Sequence, residues 1–122
     1  MGIQNFEESR IWQYSIKLAA DVYLQVKKLP DEEEFAMSSQ IRRATVSVST
    51  NIAEGFGRTG IKEKVNFYNI AYGSLLETKS LLLLAVELKM LTQEEISKII
   101  ENIESLQKQI NATKASVKGK LP

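Results

Sequence analysis

Ile96, Ile99, Ile103, Leu106, Ile110, Thr113 and Val117 follow one another in alternating steps of three and four residues. That is the a/d repeat of a helix with one narrow, continuous apolar seam. A helix of this kind cannot bury its seam alone, so the chain must supply partner helices of similar length. Three further segments meet that demand. From about Ser9 to Leu29, the positions Ile11, Ser15, Leu18, Val22, Val26 and Leu29 step by fours and threes, with Trp12, Ala19 and Tyr23 beside them. Pro30 ends this segment, because a proline disfavours helix in the residue before it. In the second, Met37, Ile41, Ala44, Val48, Ile52 and Gly55 form the stripe, and Gly55-Phe56-Gly57-Arg58-Thr59-Gly60 reads as breaker and loop. The third is the longest and is predicted to bury Phe67, Ile70 or Ala71, Ser74, Thr78, Leu81 or Leu82, Ala85 and Leu88.

Cap chemistry punctuates the same pattern. Thr92 and Glu95 stand in capping-box spacing, as do Asp31 and Glu34, which would cap a short turn, and Ser38 is a second candidate N-cap for the second helix. The expected helices span 9–29, 38–56, 61–89 and 93–117 of a single domain covering 1–122. No segment alternates with strand composition, and short connections favour antiparallel neighbours. The predicted fold is all-α, an up-down-up-down antiparallel four-helix bundle.

The chain lacks both cysteine and histidine. Thiolate nucleophiles, Cys/His zinc sites, Ser-His-Asp machinery and the Glu-x-x-His pairs of di-iron bundles are therefore excluded. General acid–base chemistry loses its commonest agent. The glycines at 55, 57 and 60 follow no strand and precede no Gly-Lys-Ser/Thr, so they form no phosphate-binding loop of the nucleotide-binding kinds. The reading is a non-enzyme, with no cofactor, no metal and no small-molecule substrate. Residues 1–10 have no apolar core of a secretory signal, and Leu81–Leu91 is too short to span a bilayer. A cytoplasmic location without a membrane partner is expected.

The formal net charge is only +1, yet charge is unevenly spread. Arg42, Arg43, Arg58, Lys62 and Lys64 outnumber Glu54 and Glu63, and Lys108, Lys114, Lys118 and Lys120 follow the last acid. On a helix at about 100° per residue, Arg43, Ser47, Thr50, Asn51 and Glu54 share one stripe. An ordinary solvated face accounts for it, but its Ser, Thr and Asn also suit interhelical hydrogen bonding. The small residues beside Arg42 invite further neighbours, hence self-association. Gly73 calls for close helix contact, and Glu77 is a candidate partner for Arg42 or Arg43.

SQIRRATVSVSTNIAEGFGR, followed by AYGSLLE, resembles the signature of the four-helix bundle proteins encoded in 23S ribosomal RNA intervening sequences. The accessory variability determinant of diversity-generating retroelements is similar to the same family. Phe6, Trp12 and Leu29-Pro30 extend the likeness, which reaches about Leu91. Ser49 departs from the pattern, where the family has proline, and a pI of about 7.9 departs from the strongly basic retroelement branch. The resemblance implies a bacterial, cytoplasmic bundle assembled as a ring-like homopentamer, non-enzymatic, with RNA or DNA as partner. It carries over Gln40, Arg42, Arg43, Ser47, Asn51, Glu54, Gly55, Arg58, Gly73, Ser74 and Glu77 as motif or assembly residues.

Two functions follow. In one, a basic patch of Arg43, Arg58, Lys62, Lys64, Lys114, Lys118 and Lys120, repeated around an oligomer, contacts nucleic-acid phosphates. In the other, the Arg-rich stripe joins subunits of a protein-interaction scaffold that touches no nucleic acid.

Overall fold

The computed structural model describes residues 5–120. A short 3-10 turn, Phe6–Glu8, leads into α1 (Arg10–Val26). The others are α2 (Met37–Gly57), α3 (Ile61–Glu87) and α4 (Gln93–Lys118). Each helix packs on its two neighbours around the bundle, α1 on α2, α2 on α3, α3 on α4 and α4 back on α1. The α2–α3 pair is the most extensive. Joined by short connections, the helices run up, down, up and down, and the described residues form no strand. The fold is an all-α four-helix bundle.

The core follows the stepwise stripes on three helices. All six stripe positions of α1 and its following turn, from Ile11 to Leu29, are buried. So are Met37, Ile41, Ala44, Val48, Ile52 and Gly55 of α2, and Ile96, Ile99, Ile103, Leu106 and Ile110 of α4. Thr113 and Val117 are half-buried, because the seam opens where α4 reaches the end of the bundle. In α3 the expected stripe holds from Ala71 to Ala85 and fails at its two ends, Phe67 and Leu88. Tyr68 and Leu75 join Ala71, Ser74, Thr78, Leu82 and Ala85 inside, while Ile70 and Leu88 lie exposed and Phe67 and Leu81 half-buried. Four consecutive leucines at 81–84 make that turn apolar on every side, so spacing alone does not choose between Leu81 and Leu82 there.

Several ends also differ. α1 stops at Val26 because the chain tightens ahead of Pro30, with the Lys28 N–H donating to the Gln25 carbonyl and Leu29 to Val26, each at 3.0 Å. Asp31 opens only a 3-10 turn and its side chain caps nothing. Ser38 lies inside α2 and is buried. Gly55 does not break α2, which continues to Gly57. α3 ends at Glu87 in a Schellman motif: the Met90 N–H reaches the Ala85 carbonyl and Lys89 that of Val86, both at 2.9 Å. The left-handed residue is Lys89, at φ 61°, in a position glycine usually fills. At the start of α4 the capping box forms, with Glu95 N–H donating to Thr92 Oγ1 at 3.2 Å and Thr92 N–H to Glu95 Oε1 at 2.9 Å.

Candidate nucleic-acid interface

Antiparallel packing brings the start of α1, the end of α2, the start of α3 and the end of α4 to one pole of the bundle. Lys62, Lys64, Lys114, Lys118 and Lys120, scattered in sequence, meet there, joined by Arg58 and by Arg10. Arg10 was not among the expected contacts, since it stands alone in sequence between Ser9 and the apolar stripe. Only the topology shows that the first turn of α1 faces the same way. Acids at this pole are Glu7, Glu8, Glu54 and Glu63, fewer than the cations.

These cations differ in how freely they can meet a phosphate. Arg58 is already engaged: it pairs with Glu54 at 3.0 Å and Glu63 at 3.8 Å, with its guanidinium 4.8 Å from the Phe67 ring centre. Glu54 thus finds its partner one turn on, and no other helix supplies it. Lys114 donates to Asn69 Oδ1 at 2.8 Å and sits 5.1 Å from the Tyr72 ring centre. Lys64 is half-buried and donates to the carbonyls of Gly55 and Phe56 at 3.2 and 2.8 Å, satisfying the C-terminal end of α2. Burial, and then the charge of Lys120, lower its pKa from the usual lysine value. Lys62, Lys118 and Lys120 are exposed and take part in no ion pair among the described residues.

Arg43 stands apart. It lies within the first two turns of α2, roughly 22 Å of helix from Arg58 at 1.5 Å per residue, and is exposed without an ion pair among the described residues. Arg42 pairs with Glu34 at 2.7 Å, so neither arginine meets Glu77, which is exposed and likewise in no ion pair among the described residues. Gln40 is exposed on the same helix.

The motif's small polar residues join α2 to α3. Asn51 Nδ2 donates to the Ser47 carbonyl and hydroxyl at 2.8 and 3.0 Å, and the Ser74 hydroxyl reaches Ser47 Oγ at 2.8 Å. Thr78 continues the line, donating to the Ser74 carbonyl at 2.8 Å. Gly55 gives the close approach: a Cβ there would stand 2.8 Å from Tyr68 Cε1 and 3.2 Å from Phe67 Cβ. Gly73 does the opposite of what was expected of it. A Cβ at Gly73 would meet nothing within 4 Å, so no neighbouring helix of this chain explains it. Around Gly73, the exposed face of α3 carries Ile70, Glu77, Leu84 and Leu88, within about 60° of one another on a helical projection.

Among the described residues, no group of three or more His, Cys, Asp or Glu side chains could hold a metal. No helix among them is long and apolar enough to cross a membrane.

The sequence matches no curated protein. In structure it is similar to a crystal structure of a protein of unknown function from the S23 ribosomal protein family of Bacteroides thetaiotaomicron VPI-5482. That likeness has a TM-score of 0.79 and 26% identity over 85% of this chain and 97% of the other. The family model described as 23S rRNA-intervening sequence protein matches residues 7–112, from the turn before α1 into the last turns of α4. The chain therefore belongs to the 23S rRNA-intervening sequence protein family.

Proposed function

We propose that this chain is a non-enzymatic bacterial, cytoplasmic protein that assembles as a homopentamer and binds RNA or DNA through its basic pole. The observation that carries the reading is the collection of Arg10, Lys62, Lys64, Lys114, Lys118 and Lys120 at one end of the bundle. A single such patch is a weak phosphate site. Repeated around a ring with the poles aligned, it becomes a multivalent one. Contacts of this type read backbone rather than bases, so binding is salt-sensitive and weakly selective for sequence.

A second reading has its own observation. Exposed Arg43, Val46, Ile70, Leu84 and Leu88 and the open space over Gly73 support a reading in which another protein surface covers the α2–α3 face. In a protein-interaction scaffold, that face is the whole function and the basic pole carries none.

The deciding experiment titrates protein of confirmed oligomeric mass against structured RNA and duplex DNA over a salt series. Micromolar binding that weakens steeply with salt, and is lost in a Lys62→Ala, Lys118→Ala, Lys120→Ala triple variant, supports the first reading. Absence of binding at low salt refutes it. Arg43→Ala separates the roles of the two surfaces: loss of the oligomer assigns Arg43 to assembly, whereas loss of binding by an intact oligomer assigns it to nucleic acid.

A further inference from the structure

The basic pole is not flat. Between the four helix ends lies a cavity of about 580 Å³, open to solvent on one side. That falls within the roughly 300–1,000 Å³ of ordinary small-molecule sites. Its wall is apolar where Ile11, Phe56, Ile61 and Val117 converge, one residue from each helix. Among the described residues, its charged groups are Arg10, Lys64 and Lys120, and no carboxylate lines it. Ser9, Thr59, Thr113 and the buried Tyr68 add hydroxyl-bearing side chains.

We infer that this cavity binds a small organic anion, its apolar body against Ile11, Phe56, Ile61 and Val117 and its anionic group between Lys64, Lys120 and Arg10. Charge complementarity is the ground. Among the described residues the recess gathers Arg10, Lys64 and Lys120 with no acid between them, and burial together with the charge of Lys120 disfavours the charged form of Lys64. Two donors of the Lys64 ammonium are spent on the α2 carbonyls, which fixes its position and leaves the third for a ligand. Because Ile11, Phe56, Ile61 and Val117 sit on four different helices, the apolar wall is preformed and needs no closing loop. This inference does not rest on nucleic-acid binding. The two share cations, but only the small anion needs the recess.

The test is calorimetric titration of the intact protein with 1-naphthoate, set against acetate, which lacks the body, and 1-naphthalenemethanol, which lacks the charge. Naphthoate is expected to bind at least roughly tenfold more tightly than either control. Val117→Trp fills the recess from α4 and abolishes naphthoate binding while leaving the outward lysines, and any RNA binding, in place. Lys120→Ala, in the turn just past α4, weakens naphthoate by roughly two- to fivefold. Amide chemical shifts on the unmodified protein supply a check that needs no variant: they must move around Ile11, Phe56, Ile61 and Val117. Naphthoate bound no better than the alcohol, bound equally by a folded Val117→Trp protein, or mapping elsewhere on the bundle overturns the inference.

Discussion

Two glycines in helix interiors make opposite predictions, and the pair tests the packing directly. Gly55→Ala and Gly73→Ala both gain up to about 1 kcal/mol of helix propensity. At Gly73 nothing opposes the gain, since the added methyl meets no atom within 4 Å. At Gly55 the methyl arrives 2.8 Å from a Tyr68 ring that is only 4% exposed and 3.2 Å from Phe67 Cβ, which cannot yield unless α3 itself shifts. Overpacking of that kind costs about 1–3 kcal/mol, so the net effect at Gly55 is a loss of up to about 2 kcal/mol once propensity is subtracted. For a domain of this size about 1 kcal/mol moves Tm by roughly 3–6 °C. Thermal melts followed by circular dichroism, with urea titrations at matched slopes, should show Gly73→Ala rising and Gly55→Ala falling by such amounts. A Gly55→Ala protein that melts higher than the parent refutes the claim that Tyr68 is wedged against α2. A concentration series adds a second reading. If another copy covers the α3 face, Gly73→Ala raises Tm in dilute protein and loses that advantage as protein concentration rises.

Other expectations follow from the same geometry. Lys89→Gly relieves a left-handed residue at φ 61° and should stabilise the chain by about 0.5–1 kcal/mol in urea titration; a destabilised variant contradicts the Schellman ending of α3. The Thr45 hydroxyl is buried without a hydrogen-bond partner, so Thr45→Val should gain roughly 1 kcal/mol in the same assay. Glu95 and Glu104 are held below the usual 4.5 chiefly by hydrogen bonds from Lys28 and Lys79. Their contribution is complete above pH 4.5 and is lost as pH falls through the folded-state values, so Lys28→Met with Lys79→Met should flatten the acid limb of a Tm–pH profile. Lys120→Ala removes one of the two causes that lower the Lys64 pKa, so the Lys64 Nζ titration followed by NMR should move up towards the ordinary value.

How legible these features were depended on whether a local signal existed. α1, α2 and α4 each carry polar residues on the solvent side, so the apolar steps identify both the helix and its inward face. α3 is apolar all round through Leu81–Leu84, and there period left Leu81 and Leu82 as alternatives; its stripe holds from Ala71 to Ala85, but Tyr68 went inside in place of Phe67 and Leu88 lies exposed. Helix ends at Val26 and Glu87 are set by backbone turns that leave little trace in side-chain type; Lys89 in particular gives no hint of a left-handed conformation. Gly55 and Gly73 look alike in sequence because each sits in a helix, and only three-dimensional neighbours tell a tight contact from open space. The motif residues Ser47, Asn51 and Ser74 have the composition for interhelical bonding, but the acid expected for the arginines was misplaced, since Glu34 lay outside the motif and took Arg42. The basic pole needed the topology, as no window of sequence contains Arg10, Lys64 and Lys120 together.

The pole opposite the lysines holds Asp31–Glu34, Glu87, Glu94 and Glu95, which outnumber Lys27, Lys28, Lys89 and Arg42 beside them. The bundle is therefore a rod with a charge axis, hidden behind a net charge of +1. Protomers set side by side with these axes parallel bring like pole to like pole, and they repel more strongly as the screening length grows beyond about 10 Å in dilute salt. Added salt should thus tighten a parallel ring while loosening its hold on phosphates. An antiparallel arrangement would reverse the first of those responses, so the ionic-strength dependence of assembly reports the relative direction of the subunits.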